Sequence, residues 1–284
     1  MSRIVSLNGD YLPADQAKIS IFDRAVNFGD AIYEVAGVLD GQLVDFEHHM
    51  QRYFNSLEKI EIESPLEQQQ ILEAFRKLVK LNRIDEGLVY MQVTRGVAER
   101  DFLWPVAIEP TVFMFTQPKS SIENQAAERG VTLASSADIR WARRDIKSVN
   151  LLAQVLAKKA AAEAGADEAL MIDADGYVTE CGSTSFFIVA GNSIQTRPLS
   201  NDILPGVTRR AVLALCAIHD LDLQEHKFTL EQALNADEAF ISAASSYVLP
   251  VVKIDQRQIS GGKPGKLSRQ LRQIYIDYAR ESSI

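Results

Sequence analysis

Lys147 is the lysine whose sequence neighbourhood best suits a nucleophile. It follows three arginines and precedes the apolar run Val149 to Leu152. Positive neighbours and burial both favour the neutral amine, which is the form that attacks a carbonyl carbon. Lys158 and Lys159 lie in an Ala-rich segment that predicts a solvated helix. The alternative for Lys147 is a loop residue that pairs with Asp145.

A second motif suits the binding of a phosphate group. In the run Leu204 to Arg209, Pro and Gly come just before an apolar-periodic helix, whose free N–H groups and dipole attract anions. Thr208 can add a hydroxyl donor, and Arg52, on an earlier predicted helix, can add a fork of donors. Ordinary helix punctuation and a solvated arginine are the alternatives.

Glu180 comes at the end of a hairpin that is predicted around Asp175-Gly176. A carboxylate at this place could hold a protonated pyridine nitrogen. Acidic residues are common at strand ends, so Glu180 alone indicates little. The hypothesis gains weight when Glu180, Lys147, Arg52 and the phosphate motif are required together.

The sequence predicts neither a metal site nor a dinucleotide fingerprint. His48 and His49 are adjacent and would point in different directions on a helix, and the other two histidines lack a ligand motif. The run Asp173-Ala-Asp-Gly176 lacks the remaining ligands of a calcium loop. The glycines between 261 and 265 follow no strand-turn-helix pattern.

Charge and composition narrow the class of partner. The 284 residues include 30 basic and 38 acidic ones, and the net charge of −8 disfavours nucleic acid and anionic membranes. Two cysteines are too few for a disulfide framework. No apolar stretch reaches the length of a membrane span or a signal peptide. We therefore expect a cytoplasmic protein that binds small molecules.

Strand and helix patterns are mixed within each half of the chain. This mixture predicts an α+β fold with two domains, 1–117 and 125–284, which a polar linker at 118–124 would separate. The predicted strands are 3–7, 31–39, 88–94, 111–116 and 131–135. The predicted helices are 45–60, 66–81, 150–164, one that begins after Pro205-Gly206 and ends near His219, and 267–280.

Seven short motifs occur in an order that resembles the fold-type IV enzymes, which use pyridoxal phosphate (PLP). The resemblance covers nearly the whole chain and is greatest for D-amino acid transaminases. The motifs are Phe28-Gly-Asp-Ala-Ile-Tyr-Glu34, His49-Met-Gln-Arg52, Val93-Thr-Arg-Gly96, Asp145-Ile-Lys-Ser-Val-Asn-Leu151, Val178-Thr-Glu180, Leu204-Pro-Gly-Val-Thr-Arg209 and Pro250.

The resemblance implies a homodimer of two-domain subunits, with PLP bound between the domains. Lys147 would hold the cofactor covalently, Arg52 and the helix start at Val207 would bind its phosphate, and Glu180 would pair with its pyridine nitrogen. The residues that would contact the cofactor are Arg52, Lys147, Glu180, Val207, Thr208 and Ala244.

The resemblance also implies a ping-pong transfer of the amino group from a D-amino acid to a 2-oxo acid such as 2-oxoglutarate or pyruvate. Tyr33 and Arg100 would contact the substrate, with Arg100 binding its carboxylate. Phe102 stands where the enzymes that this chain resembles would have histidine, which removes one donor. The alternatives are an (R)-selective amine transaminase, a branched-chain L-amino acid aminotransferase, an aminodeoxychorismate lyase and a non-catalytic binding protein.

Overall fold

The structure, a computed structural model, describes residues 2–284, which divide into two compact units. The first unit contains the chain up to Ser120 together with Ile146–Asn150 and Ala279–Ile284. The second contains Ser121–Asp145 and Leu151–Tyr278. Each unit combines sheet and helix, which confirms the predicted α+β class. Within residues 2–284 no helix has the length and apolar character that crossing a bilayer requires.

An antiparallel six-stranded sheet forms the centre of the first unit, in the order β2-β1-β6-β5-β3-β4. Its strands are β1 (Ile4–Leu7), β2 (Asp10–Pro13), β3 (Ala31–Leu39), β4 (Gln42–Val44), β5 (Gly87–Thr94) and β6 (Thr111–Pro118). The predicted turn at Asp40-Gly41 is confirmed. Both residues have positive φ, 51° and 72°, as a tight two-residue hairpin requires.

Two amphipathic helices pack against this sheet, and a short third helix lies between β2 and β3 in the chain. The helices are α1 (Arg24–Phe28), α2 (Phe46–Lys59) and α3 (Gln68–Asn82). Met50 and Tyr53 of α2 and Phe75 of α3 are fully buried in the core cluster. The sequence predicted α2 and α3 within two residues at each end but missed α1, which has only five residues.

The segment Ile146–Asn150 extends the edge of β3. The Tyr33 N–H donates to the Lys147 carbonyl over 3.0 Å, and the Val149 N–H donates to the Ala31 carbonyl over 3.1 Å. The short strand β4 pairs only with residues 37–39 of β3, so the rest of that edge accepts the segment. Lys147 therefore belongs to the first compact unit, although the predicted boundary places it in the second domain.

The chain terminus also differs from the predicted division. Leu43 and Ile284 exchange backbone hydrogen bonds of 2.8 and 3.0 Å, which attach the last residues to β4 in the first unit. Sequence periodicity assigned the whole end of the chain to the second domain because it carries no information on such long-range pairing. The role of residues 118–124 as a linker stays a prediction.

A larger mixed sheet forms the centre of the second unit, in the order β12-β11-β10-β13-β14-β7-β8-β9, with β15 paired to β14. Its strands are β7 (Val131–Ala137), β8 (Glu168–Ile172), β9 (Val178–Cys181), β10 (Ser185–Ala190), β11 (Ser193–Thr196), β12 (Asp222–Glu225), β13 (Glu238–Ala243), β14 (Tyr247–Ile254) and β15 (Arg257–Gln258). The β8–β9 hairpin confirms the turn predicted at Asp175-Gly176.

Five helices accompany the second sheet. They are α4 (Gln125–Arg129), α5 (Leu152–Glu163), α6 (Val207–Ile218), α7 (Leu230–Leu234) and α8 (Lys266–Ser282). The predicted helices at α5, α6 and α8 are confirmed. The sequence missed α4 and α7, which have five residues each. Helix α6 begins directly after Pro205-Gly206, so its first turn is the predicted phosphate motif.

Candidate active site

Lys147 lies beside Tyr33 at the edge of the first sheet. Its Nζ is 4.1 Å from the centre of the Tyr33 ring, within the range of a cation–π contact. Its backbone N–H donates to the Ser56 hydroxyl over 3.3 Å, and its carbonyl accepts from Tyr33. The Lys147 side chain is half-buried. The structure thus brings together two of the predicted site residues, the nucleophile and the tyrosine.

The arginines that precede Lys147 in sequence are paired with carboxylates inside the second unit. Arg140 binds Asp138 and Glu180, and Arg143 donates to both oxygens of Asp145 at 3.0 and 3.1 Å. Their charges are therefore largely compensated. The sequence suggested that these arginines repel a charged Lys147. Because they are paired with carboxylates, this repulsion is weaker than three unpaired arginines would produce.

A buried charged network holds Arg52. Its Nε donates to Glu34 Oε2 over 3.0 Å and its Nη2 donates to Glu34 Oε1 over 2.5 Å. His49 Nδ1 lies 2.9 Å from Glu34 Oε1. Burial opposes ionisation of Glu34, but the charge of Arg52 and the hydrogen bond with His49 outweigh it and hold the Glu34 pKa well below its usual value. Arg52 is thus a fixed cation in the first unit.

Glu180 is bound through one of its carboxylate oxygens. Oε1 accepts from Arg140 Nη1 over 2.5 Å and from the Leu204 N–H over 3.1 Å. Among residues 2–284, Glu180 Oε2 accepts no protein hydrogen bond. One oxygen therefore anchors the carboxylate, and the other remains able to accept a proton donor such as a pyridinium N–H.

Burial dominates the electrostatics of Glu180. Desolvation raises the pKa of this carboxyl above its usual value, and Arg140 opposes the shift. Arg140 also pairs with Asp138. Burial opposes ionisation of Asp138, but hydrogen bonding to Arg140 lowers the Asp138 pKa. Arg140 thus stabilises the ionised form of Glu180 only in part, and a cationic ligand next to Glu180 would stabilise it further.

The start of α6 has the features of a phosphate site. Gly206 is the N-cap and provides no side-chain cap, so the first backbone N–H groups of this 12-residue helix remain available. A Cβ at Gly206 would lie 2.7 Å from Ser185 Oγ, so a larger residue would fill this space. The Thr208 Oγ1 is buried and has no hydrogen-bond partner among the described residues.

The turn between β13 and β14 carries Ala244, which is half-buried. Ser242, two residues earlier, has a buried Oγ without a hydrogen-bond partner in the described part of the chain. Unsatisfied buried hydroxyls are costly unless a ligand or water completes them. Ser242 is thus a further candidate cofactor contact, and the sequence prediction named only its neighbour Ala244.

Arg100 and Phe102 lie on the surface of the first unit. The Phe102 side chain is 77% exposed. The Arg100 guanidinium carbon lies 5.2 Å from the Phe28 ring centre and 5.8 Å from the Phe102 ring centre. These two predicted substrate residues are near each other, and the Phe102 ring is largely exposed within the first unit.

The chemical types of these side chains fit the parts of PLP: Lys147 and Arg52 belong to the first unit, and Glu180 and Thr208 to the second. The amine of Lys147 suits the aldehyde. Arg52 and the start of α6, with the unpartnered Thr208 hydroxyl, suit the phosphate. The Glu180 carboxylate, which has one oxygen without a hydrogen bond, suits the pyridine nitrogen. Residues 2–284 contain no group of three or more side chains arranged to hold a metal ion. The absence of a metal in the working enzyme stays a prediction, as do the individual roles of the site residues.

Sequence reasoning missed several residues that support this site. Glu34 was named only within a motif, and His49 only there and as a rejected metal ligand, yet His49 and Arg52 are three residues apart on α2 and must share a face. Arg140 was assigned to a basic cluster without a partner. Its pairing with Glu180 joins residues 40 positions apart, which local periodicity does not reveal.

Comparison with known sequences assigns the chain to a family. Residues 31–254 match the family described as amino-transferase class IV. A D-alanine aminotransferase of Staphylococcus haemolyticus is 36% identical over 284 residues, which cover 98% of this chain and 99% of the relative. A D-alanine aminotransferase of Bacillus licheniformis is 36% identical over 267 residues and 94% of each chain.

Solved structures agree with this assignment. A branched-chain amino acid aminotransferase from T.th., solved with pyridoxamine 5'-phosphate, superposes with a TM-score of 0.90 at 26% identity, covering 98% of this chain and 94% of that one. The branched-chain enzyme of Escherichia coli has a TM-score of 0.92 at 21% identity, covers 98% and 95% of the two chains, and shows the fold alone. The chain therefore belongs to the amino-transferase class IV family.

Proposed function

We propose that this protein is a PLP-dependent aminotransferase that transfers the amino group of a D-amino acid to a 2-oxo acid, such as 2-oxoglutarate or pyruvate. The observation that carries the proposal is the full-length similarity, at 36% identity, to relatives named D-alanine aminotransferase. The Lys147 amine, the Glu180 carboxylate and the unpartnered Thr208 hydroxyl support it, because each suits a different part of the same cofactor.

PLP bound here would supply the electron sink for negative charge that develops at the substrate Cα. Lys147 would anchor the cofactor through Nζ, and the same amine, when free, would be the base that takes the proton from the substrate Cα and the acid that gives it back. The contact between Lys147 Nζ and the Tyr33 ring, at 4.1 Å, limits the directions in which the amine can move.

The remaining residues would orient the cofactor. The first N–H groups of α6 and the Thr208 hydroxyl would bind the phosphate, and Arg52 would add positive charge. Glu180 Oε2 would accept from the pyridine nitrogen while Oε1 stays bound to Arg140 and Leu204. A negative Glu180 favours the protonated nitrogen, which strengthens the electron sink.

Arg100 would bind the substrate carboxylate, and Phe102 would provide apolar surface beside it. Phe102 donates no hydrogen bond, so the site would penalise substrates without a carboxylate less strongly than a site with two donors. This substitution favours a second candidate function, the transamination of apolar (R)-amines. The relation to a branched-chain enzyme at 26% identity makes L-amino acids the third class to be tested.

We also propose that the working protein is a cytoplasmic homodimer. The first unit exposes large apolar side chains, which include Ile21 at 75%, Leu103 at 80% and Val106 at 108% relative exposure. Large exposed apolar patches commonly mark protein–protein interfaces. Light scattering after size-exclusion chromatography would give twice the mass of 31.5 kDa for a dimer, and a monomer would contradict this part of the proposal.

A panel of D-amino acids, L-amino acids and (R)-amines, assayed with one 2-oxo acid, tests the function directly. We expect D-amino acids to give the highest kcat/KM, a requirement for the 2-oxo acid, and measurable turnover of apolar (R)-amines. Preference for L-amino acids would support the branched-chain alternative. Turnover without a 2-oxo acid would support a lyase.

A further inference from the structure

Asp30 joins two buried arginines in the first unit. Its Oδ2 accepts from Arg24 Nε over 2.8 Å and from Arg95 Nε over 2.7 Å. Arg24 and Arg95 are 3% and 4% exposed, so their charges would be costly without this shared carboxylate. We call Asp30, Arg24 and Arg95 the arginine clamp.

Arg24 directs its other nitrogens at the backbone that follows Arg100. Its Nη1 donates to the Asp101 carbonyl over 2.6 Å, and its Nη2 donates to the Phe102 carbonyl over 3.3 Å. Its guanidinium carbon also lies 4.5 Å from the centre of the Phe28 ring. The two carbonyls next to Arg100 are therefore held by a cation that is itself fixed by the core.

Arg95 holds the same loop through a contact with an aromatic ring. Its guanidinium carbon lies 3.9 Å from the centre of the Trp104 ring, while its Nη1 and Nη2 donate to the Glu61 and Ile60 carbonyls over 2.9 and 2.6 Å. Those carbonyls follow the end of α2, so Arg95 is fixed as well. Asp30 thus couples the end of α2 to the loop that carries Arg100.

Besides the arginine clamp, the loop has a few local contacts: the Ala98 N–H donates to the Phe22 carbonyl over 3.3 Å, the Leu103 N–H donates to Asp101 Oδ1 over 3.1 Å, and the Phe28 and Phe102 ring centres are 5.5 Å apart. Residues 95–110 connect β5 to β6 and contain no helix or strand. Phe102 and Leu103 are 77% and 80% exposed, so their burial in this unit supplies little packing energy. Charge-assisted hydrogen bonds from a buried arginine are stronger than the usual loop contacts.

We propose that the arginine clamp is a positioning device that sets the substrate carboxylate specificity of this enzyme through Arg100. The inference rests on the proposed role of Arg100 in carboxylate binding. Arg24, Arg95 and Asp30 act without touching the substrate: they fix the backbone at residues 101–104, which limits where the Arg100 guanidinium can lie. Displacing a binding group by about 1 Å can cost about a hundredfold in rate, so a loose loop would lower selectivity for amino acids over amines.

Arg24→Lys is the most informative variant because it keeps the charge near Asp30 but loses the fork that reaches two carbonyls. We expect faster amide hydrogen exchange at residues 101–104 of the holoenzyme. We also expect the KM for D-amino acids to rise about tenfold, while kcat and the KM for simple (R)-amines change less than about threefold.

Trp104→Leu is the second variant, because Trp104 is 44% exposed and its replacement should leave the fold intact. It removes the contact between Arg95 and the Trp104 ring. Amide hydrogen exchange at residues 101–104 and the KM for D-amino acids should both increase, by a smaller factor than in Arg24→Lys. Arg197→Gln is the matched control, since Arg197 is also buried and paired with two carboxylates, Asp173 and Asp202, but belongs to the second unit. It should lower stability without changing the amino acid to amine selectivity.

If amide hydrogen exchange at residues 101–104 is unchanged in both Arg24→Lys and Trp104→Leu, the arginine clamp does not hold the loop. Faster exchange with unchanged KM for D-amino acids would overturn its effect on specificity, provided that Arg100→Ala does raise this KM. If Arg100→Ala leaves KM unchanged in an active enzyme, the proposed role of Arg100 fails, and the inference on specificity fails with it. An enzyme with no activity on D-amino acids would instead refute the proposed function, and the exchange data would still decide whether the clamp holds the loop.

Discussion

Arg52 binds both carboxylate oxygens of Glu34, Nε to Oε2 over 3.0 Å and Nη2 to Oε1 over 2.5 Å. Glu34 is on β3 and Arg52 is on α2, so the pair joins sheet and helix inside the core of the first unit. Tyr33 precedes Glu34 on the same strand and points to the opposite face, toward Lys147. One strand thus presents a tyrosine beside Lys147 and a core carboxylate that fixes a candidate phosphate ligand.

Glu34→Gln should destabilise the protein strongly. The change removes the charge that compensates buried Arg52, and losing one partner of a buried ion pair costs about 3–5 kcal/mol. Urea denaturation measures the free energy of unfolding. Glu163→Gln is the control, because Glu163 and Lys159 form an exposed pair whose loss should cost less than about 0.5 kcal/mol. Equal effects of the two changes would show that the Glu34–Arg52 pair does not stabilise the core.

Thr208→Val should weaken PLP binding without destabilising the cofactor-free protein. The Thr208 hydroxyl is buried and lacks a protein partner, so its removal costs no hydrogen bond until a phosphate binds. A hydrogen bond to a charged group contributes about 1.5–3 kcal/mol, which corresponds to a rise in the PLP Kd of about tenfold or more.

Thr196→Val provides the matched control for this prediction. The Thr196 Oγ1 is equally buried but donates to the Phe186 carbonyl over 3.0 Å. Its loss should lower the free energy of unfolding by about 1 kcal/mol and leave the PLP Kd unchanged. The same pattern in Thr208→Val would mean that the Thr208 hydroxyl serves the fold rather than the cofactor.

Glu180 should make the stability of the cofactor-free protein depend on pH. Burial raises its pKa above the usual 4.5, so the folded state resists ionisation more than the unfolded state does. Below 4.5 the group is protonated in both states and costs nothing; as pH rises through the folded pKa, the buried negative charge lowers stability.

The comparison is between wild type and Glu180→Gln, unfolded by urea at a series of pH values from about 4.5 to about 7.5. We expect the variant to gain stability relative to wild type as pH rises, and added PLP to reverse the difference. A relative gain for wild type as pH rises would mean that Arg140 outweighs burial and that Glu180 needs no cationic ligand.

Arg100→Ala should separate amino acids from amines. Because Arg100 would bind the carboxylate, the KM for D-amino acids should rise about tenfold or more, while the KM for (R)-amines should hardly change. Phe102→His restores a donor and should lower the KM for dicarboxylic D-amino acids. Steady-state kinetics on both substrate classes measures these effects. Parallel changes for the two classes would contradict the proposed carboxylate contact.

Local signals in the sequence were sufficient to predict the long helices and the types of functional group at the candidate site. Helices α2, α3, α5 and α6 have clear start or face patterns, and Pro205-Gly206 marked the helix start that carries Thr208. The five-residue helices were missed because fewer than two turns give no usable periodicity.

Long-range partners could not be predicted from local patterns. Nothing near Lys147 in sequence indicates that its segment pairs with β3, and the predicted domain boundary placed it elsewhere for that reason. The positive cluster suggested charge repulsion at Lys147, but the partners of Arg140, up to 40 residues away, compensate the cluster. The arginine clamp, which joins residues 24, 30, 95 and 101, was invisible for the same reason.

Borohydride reduction of the PLP-loaded protein, followed by peptide mapping, tests most directly whether Lys147 holds the cofactor. The account predicts a single reduced phosphopyridoxyl group on the peptide that contains Lys147, loss of this group in Lys147→Ala together with transamination, and retention of both in Lys159→Ala. Labelling of another lysine in wild type, or transamination by Lys147→Ala at a rate close to that of wild type, would contradict it.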